Sequence, residues 1–159
     1  MEIRRYARTD LEAIIQLFRE TVHTVNAKDY TNEQLNAWAP ATIDKDEWDT
    51  AFSKHLTYVA ILNRMIIGFG DMDETGYLDK LFVHKNFQRT GVATAICNRL
   101  ENETKADIIK VHASITAKPF FEKRGYACIK HQEVERKGIR LTNYIMTKKN
   151  RPTNPNSPS

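Results

Sequence analysis

Residues 77–113 constrain the fold of this chain more than any other stretch. Tyr77 to Val83 reads as a strand, Thr94 to Thr104 carries Ile96, Cys97 and Leu100 on one helical stripe, and Ile108 to Ala113 reads as a second strand. A strand–helix–strand crossover of this kind makes its two strands parallel neighbours in one sheet. The flanking segments are of antiparallel type. Thr57 to Leu62 and Met65 to Met72 are β-rich runs separated by Asn63-Arg64, and with the Tyr77 strand they predict a meander. Downstream, a short helix over Ala117 to Lys123, stopped at Gly125, leads to a predicted hairpin of Tyr126 to Arg136 and Ile139 to Thr147 around Lys137-Gly138. Upstream, Ile3 to Ala7 is a strand candidate, and the Thr-x-x-Glu box Thr9 to Glu12 opens a helix with Leu11, Ile14, Ile15, Phe18 and Val22 on one face. A second box, Thr31 to Gln34, opens a shorter helix with Leu35 and Trp38 that stops before Pro40, and Asp44 to Lys54 is a third helix carrying Trp48 and Phe52. The reading is an α/β (α+β) fold with a mixed, mostly antiparallel sheet of about seven strands.

At 159 residues the chain is long enough for one domain with its own core. Cys97 and Cys128 are too few for a disulfide framework and lack metal-ligand spacing, so both read as reduced thiols, and no metal is expected. No apolar run is long enough to span a membrane and the start, Met1 to Arg5, is not followed by an apolar signal region, so a cytoplasmic protein is expected. The net charge of +4 hints at an anionic partner, but the basic residues form neither a stripe nor a stack with aromatics, which argues against nucleic acid. Lys148, Lys149 and Arg151 lie beside a terminal run, Pro152 to Ser159, that has no apolar residue and holds three of the five prolines. Such a run predicts a disordered tail over 149–159 and a folded domain over 1–148.

The segment Leu81 to Thr94 carries the most chemistry. It sets a strand, a loop and a helix start in sequence, and Gly91 and Ala93 have minimal side chains where the loop enters the helix. Backbone N–H groups can approach an anion closely there, helped by the positive end of the helix dipole. The three-glycine dinucleotide fingerprint and the Gly-Lys-Ser/Thr of a P-loop are both absent.

Gln88-Arg89-Thr90-Gly91-Val92-Ala93 resembles the Gln/Arg-x-x-Gly-x-Gly/Ala signature of the GNAT superfamily of acetyl-CoA-dependent N-acetyltransferases. Ser114 to Tyr126 is similar to that family's second motif, Asn-x-x-Ala followed by Phe-Tyr-x-x-x-Gly-Phe. The likeness extends over nearly the whole folded chain and implies helices on both faces of the sheet and a central parallel strand pair splayed around the cofactor. It implies that Gln88, Arg89, Thr90, Gly91, Val92, Ala93 and Thr94 hold the coenzyme A diphosphate through their N–H groups, and that Leu81, Phe82 and Val83 pair with the pantetheine arm. Val83 and its neighbours would supply the oxyanion contact, Ser114 a hydrogen bond to the arm, and Arg89, Lys85 and Lys118 the outer phosphates.

Acyl transfer to an amine needs a proton acceptor, a donor to the thioester oxygen and a means of releasing the thiolate. Strand alternation places Asp79 on one face with Tyr77, Leu81 and Val83, a carboxylate among apolar neighbours that could serve as base or as anchor for the substrate ammonium, or be an exposed carboxylate paired with lysines of an adjacent strand. Family members often carry an acidic residue on this strand. The position at which many relatives have an acidic phenol is Phe121, so Tyr126, Tyr144, Ser114 or water would have to substitute, or the thiolate leaves unassisted. His84 and His112 end the flanking strands and could relay a proton. His23, Tyr30 and Trp38 are the expected acceptor-pocket residues, while Trp48 and Phe52 read as packing. Asp71 and Asp73, with Asp79, would suit a cationic amine.

The expected activity is acetyl transfer from acetyl-CoA to a primary amine of a small molecule or peptide, by direct attack in a ternary complex. A homodimer is left open. The alternative is a non-catalytic acyl-CoA-binding module, motivated by Phe121.

Overall fold

The computed structural model describes residues 1–150. Seven strands form one sheet: β1 (Glu2–Arg5), β2 (Leu56–Leu62), β3 (Met65–Met72), β4 (Tyr77–Val83), β5 (Ile108–Ser114), β6 (Ala127–Arg136) and β7 (Ile139–Lys149). Their order is β1-β2-β3-β4-β5-β7-β6, and β4–β5 is the parallel pair that the crossover demands. The helices are α1 (Leu11–Thr24), α2 (Asn32–Trp38), α3 (Lys45–Lys54), α4 (Val92–Glu103) and α5 (Lys118–Lys123). The expected mixed sheet is therefore present.

Local chemistry explains most boundaries. The Thr31 box closes at both ends: Gln34 N–H donates to Thr31 Oγ1 at 3.2 Å and Thr31 N–H donates to Gln34 Oε1 at 2.9 Å. The Thr9 box does not form. A single 3-10 turn over Arg8–Asp10 precedes α1 instead, and buried Asp10 accepts the Ala7 N–H at 2.8 Å while Arg4 grips its two oxygens, each at 2.8 Å. A bidentate guanidinium on a buried carboxylate outcompetes a hydroxyl cap. Asn63 and Arg64 both take positive φ, 50° and 65°, as a tight hairpin turn with right-handed strand twist requires.

Two clusters of buried side chains cover the two sheet faces. Ile67, Leu78, Ile96, Leu100, Ile109 and Met146 sit beneath α4 and α5, whereas Ile14, Phe18, Phe52, Val59, Phe69 and Leu141 sit beneath α1, α2 and α3. Helix α4 lies unusually close to β3, because a Cβ on Gly68 would fall 2.7 Å from Val92 Cγ1 and one on Gly70 2.9 Å from Ile96 Cγ2. That approach sets the N-terminus of α4 directly over the end of β4.

Strand β7 runs through Lys149, and the Asn150 side chain donates to Glu101 O and Ala106 O. The folded part thus extends two residues past the expected boundary at 148. The rest of the expected tail, 151–159, lies outside the described residues. Among the described residues no helix is long and apolar enough to cross a membrane.

Candidate active site

Strands β4 and β5 pair only at Tyr77–Lys110 and Leu78–Val111 and then diverge. The divergence opens a cleft of about 1220 Å³, floored by β4 and β5, closed at one end by the start of α4 and α5 and at the other by α1, α2, α3 and the β6–β7 hairpin. His84 N–H bonds Ile67 O, so the alternate residues Leu81 and Val83 turn their backbone groups away from β3 toward the cleft. The Val83 carbonyl accepts from Gln88 Nε2 at 2.6 Å and from Thr21 Oγ1 at 3.1 Å. Those two bonds tie the loop after β4 and helix α1 to the same strand end.

Gly91 caps α4 with φ +90°, no side chain bonds the helix start, and a Cβ there would meet nothing within 4 Å. The first-turn N–H groups of a 12-residue helix therefore face an open cradle, the surroundings a diphosphate needs. Gln88, Arg89, Val92, Ala93 and Thr94 line the same end, and Arg89 holds φ 61°, a left-handed turn that feeds the helix. Thr90 is not in the wall; its Oγ1 donates to Phe87 O at 2.6 Å and fixes the loop. Ser114 lines the cleft but caps the turn into α5, accepting the Ala117 N–H at 3.1 Å. Lys85 and Lys118 are not in the wall, and Lys118 instead pairs with Glu122 at 3.0 Å; Lys28, Lys80 and Lys123 do reach it.

The β3–β4 register changes between Asp71 and Met72: Met72 pairs with Leu78 and Asp71 with Lys80, leaving Asp79 without a partner. This bulge breaks the alternation, so Leu78 packs into the same cluster as Leu81 and Val83, and the expected shared face of Tyr77, Asp79, Leu81 and Val83 does not exist as such. Asp79 is exposed, not buried among apolar groups, and bonds Lys80 Nζ at 3.1 Å while lining the cleft. The buried carboxylate is Asp71, whose Oδ1 accepts the Lys80 N–H at 3.0 Å and whose Oδ2 meets His55 Nδ1 at 2.7 Å. His55, Asp71 and Asp79 have their polar atoms within 4.8 Å of one another, a cluster that sequence order concealed. The hydrogen bond to Asp71 holds His55 above its ordinary pKa, despite partial burial.

Other expectations meet corrections. Tyr126 is turned away from the cleft: it is buried, its hydroxyl donates to Glu101 Oε2 at 3.1 Å, and burial pushes that hydroxyl far up. Tyr144 also lies outside the wall, under the Lys118 ammonium at 5.2 Å. Phe121 lines the cleft as a buried ring packed edge-on against Tyr126. His23 is exposed, bonds Ala39 O at 2.8 Å and does not line the cleft. Tyr30 and Trp38 do, as an edge-on pair 5.4 Å apart, with the Tyr30 hydroxyl bridging Thr142 O and Ile115 N. Trp48, read from sequence as packing, lines it as well. His112 faces the cleft 5.1 Å from the Tyr77 ring, and burial and then Lys110 lower its pKa. Tyr77 is pushed up to about 12, chiefly by burial and then by the Asp79 charge.

A twisted mixed sheet whose parallel pair splays over a helix N-terminus is the architecture of an acyl-CoA-dependent acyltransferase. Residues 26–148 match the family model described as Acetyltransferase (GNAT) domain. A protein of Escherichia coli (strain K12), described as the uncharacterized N-acetyltransferase YafP, is 37% identical over 147 residues, covering 92% of this chain and 94% of that one. A solved GCN5-related N-acetyltransferase of Rhodopseudomonas palustris superposes with a TM-score of 0.89 at 32% identity, covering 93% and 94% of the two chains. The PaiA N-acetyltransferase of Thermoplasma acidophilum, solved with coenzyme A, shares the fold at a TM-score of 0.76, 19% identity, and 93% and 98% coverage. The chain belongs to the GNAT acetyltransferase family.

Proposed function

We propose that this protein transfers the acetyl group of acetyl-CoA to a primary amine by direct attack in a ternary complex. The observation that carries the reading is the cleft between β4 and β5, continuous from the open helix cradle at Gly91 to the aromatic wall at Trp38 and Trp48. The residues fit the donor: the N–H groups of Gln88 to Thr94 face a diphosphate, Arg89 and Lys123 supply charge to the outer phosphates, and the backbone of Leu81 with the Val83 N–H, turned away from β3, suits the amide-bearing arm. When bound, the donor supplies an activated thioester.

Tyr77, Asp79 and His112 line the same cleft, with the Tyr77 and His112 rings 5.1 Å apart. Asp79 attracts the ammonium form of the acceptor, which loses one proton to solvent before attack because only the neutral amine has a lone pair to form the N–C bond. His112, neutral because burial disfavours its charged form, accepts the proton that the nitrogen sheds as the N–C bond forms and the C–S bond breaks. The Val83 N–H is oriented to donate to the carbonyl oxygen. The thiolate needs no strong acid, since thiols ionise near pH ~8.5, which makes the absence of a tyrosine at Phe121 tolerable.

Titration calorimetry with coenzyme A, followed by thiol release from acetyl-CoA across an amine panel, tests the reading. Micromolar binding together with amine-dependent release is expected on ordinary affinities. Coenzyme A binding with no release by any amine would instead support an acyl-CoA-binding module, and no binding would overturn both.

A further inference from the structure

The acceptor half of the cleft is aromatic and basic. Trp38, Trp48 and Phe82 form its wall, and the charged side chains there are Lys28, Lys80 and Arg136 against the single carboxylate Asp79, among the described residues. Asp79 is already paired with Lys80, whose ammonium also sits 4.8 Å over the Trp48 ring. The other two acidic residues expected to suit a cationic amine do not reach the cleft. Asp71 is buried on His55 and the Lys80 N–H, and Asp73 accepts from Thr75 and from the Tyr77 N–H within its own turn. A polyamine or aminoglycoside would therefore meet excess positive charge.

Arg136 is the cation that breaks the balance. It ends β6 at the tip of the hairpin and reaches the same cleft as Asp79 and His112, and its side chain has no hydrogen bond or ion pair among the described residues. It also borders the shallower hollow, about 370 Å³, that continues outward past Trp38 and Trp48. An exposed guanidinium beside an aromatic wall is matched in geometry and charge by a carboxylate.

We propose that the acceptor is an amino carboxylate with an apolar or aromatic body: its amine directed to Asp79 and His112, its body laid on Trp38 and Trp48, and its carboxylate held by Arg136. The assignment rests on the acetyl-transfer reading and adds the substrate class. The closeness of Arg136 to the reaction end is reflected in its charge, which opposes protonation of His112 and partly offsets the burial-driven rise of Tyr77.

The experiment compares matched acceptors, phenylalanine with phenethylamine and 6-aminohexanoate with hexylamine, adding glycylphenylalanine and spermidine, on wild type and Arg136→Gln. The carboxylated member of each pair should have kcat/KM higher by about tenfold or more, mainly through KM, as expected for one charge-assisted contact. Arg136→Gln should collapse that ratio, and Arg136→Lys should restore part of it. Activity on glycylphenylalanine alone would move the source of the carboxylate to a peptide terminus. Both tryptophans of the chain lie in this wall, so their fluorescence gives a readout without turnover. N-acetylphenylalanine should quench at lower concentration than N-acetylphenethylamine in wild type, but not in Arg136→Gln. Equal binding of the two, a preference for spermidine, or a ratio unmoved by Arg136→Gln would overturn the assignment. Failure of coenzyme A to bind would overturn the acetyl-transfer reading while leaving the fluorescence result to judge the anion site.

Discussion

The carboxylate of Asp71 accepts the backbone N–H of Lys80 at 3.0 Å and so occupies the place of the strand partner that the bulge at Asp79 removes. A bulge leaves a polar group unpaired, and a buried unpaired N–H is costly. Asp71 satisfies it from the neighbouring strand and is held by His55 in turn. The site's geometry depends on this, because the bulge places Asp79 at the cleft mouth and begins the parting of β4 from β5.

Asp71→Leu should lower stability by about 2–4 kcal/mol, since it strands both the Lys80 N–H and His55, whereas Asp71→Asn keeps an acceptor and should cost less. The pair also predicts a pH trend. His55 is held above its unfolded value of 6.5, so its contribution is full below that value and is lost as pH rises through the folded pKa. Urea denaturation across pH 5 to 9 should show the decline in wild type and a flatter profile in Asp71→Asn. Identical profiles would contradict it.

Gly91→Glu should abolish coenzyme A binding, because bulk and negative charge would enter the open cradle while the helix stays anchored by Val92 and Ile96. Any side chain at φ +90° adds strain of about 1–3 kcal/mol, so Gly91→Ala is the control. It should match the glutamate variant in melting temperature and bind coenzyme A measurably better. Unchanged affinity in Gly91→Glu by calorimetry would sink the cradle.

Glu101 joins α4 to the end of α5 and to β7: Arg124 Nε lies 2.5 Å from Oε2, Lys148 Nζ 2.8 Å from Oε1, and the Tyr126 hydroxyl 3.1 Å from Oε2. Burial pushes this carboxyl up, but the hydrogen bonds from Arg124 and Lys148 outweigh it and hold it below the ordinary 4.5. A depressed carboxylate contributes stability above its unfolded pKa and loses it as pH falls through the folded one. Glu101→Gln should therefore cost about 2–4 kcal/mol near neutrality and flatten the acid limb of a denaturation series below pH ~4.5. A variant as stable as wild type at pH 7 would show that the network contributes nothing.

If His112 accepts the amine proton, kcat/KM should rise with pH through a value below 6.5, the direction in which burial and Lys110 move it. His112→Asn should remove that limb and slow transfer by about 10²-fold, the usual lower bound for a lost general base, while coenzyme A affinity stays the same. A limb that persists in His112→Asn, but vanishes in Asp79→Asn, would reassign the base to the carboxylate.

The order of elements was legible because its signals are local. The Thr31 capping box, the Asn63-Arg64 and Lys137-Gly138 turns and the crossover from Tyr77 to Ala113 each depend on residues a few positions apart, and each appears where its chemistry puts it. The Thr9 box failed because Arg4 and the Ala7 N–H, six and three positions away, hold the Asp10 carboxylate, a local competition that the box pattern alone does not weigh. The glycine loop was legible too, because Gly91 needs only its own backbone and the helix that follows.

Side-chain direction near the reaction centre was not legible in the same way. Whether Asp79 faces Leu81 or stands apart depends on the register of β4 against β3, and a one-residue bulge reverses the answer. Tyr126 turns toward helix α4, packing in its cluster and donating its hydroxyl to Glu101, a partner 25 positions away. By itself, then, the chain's sequence determined a crossover, a glycine loop at a helix start and a family, all of which rest on short-range patterns. The tertiary structure decided which groups meet in the cleft, bringing Trp38, Trp48, Asp79, His112 and Arg136 to one wall, because strand register and helix packing are settled by contacts between residues far apart in the chain.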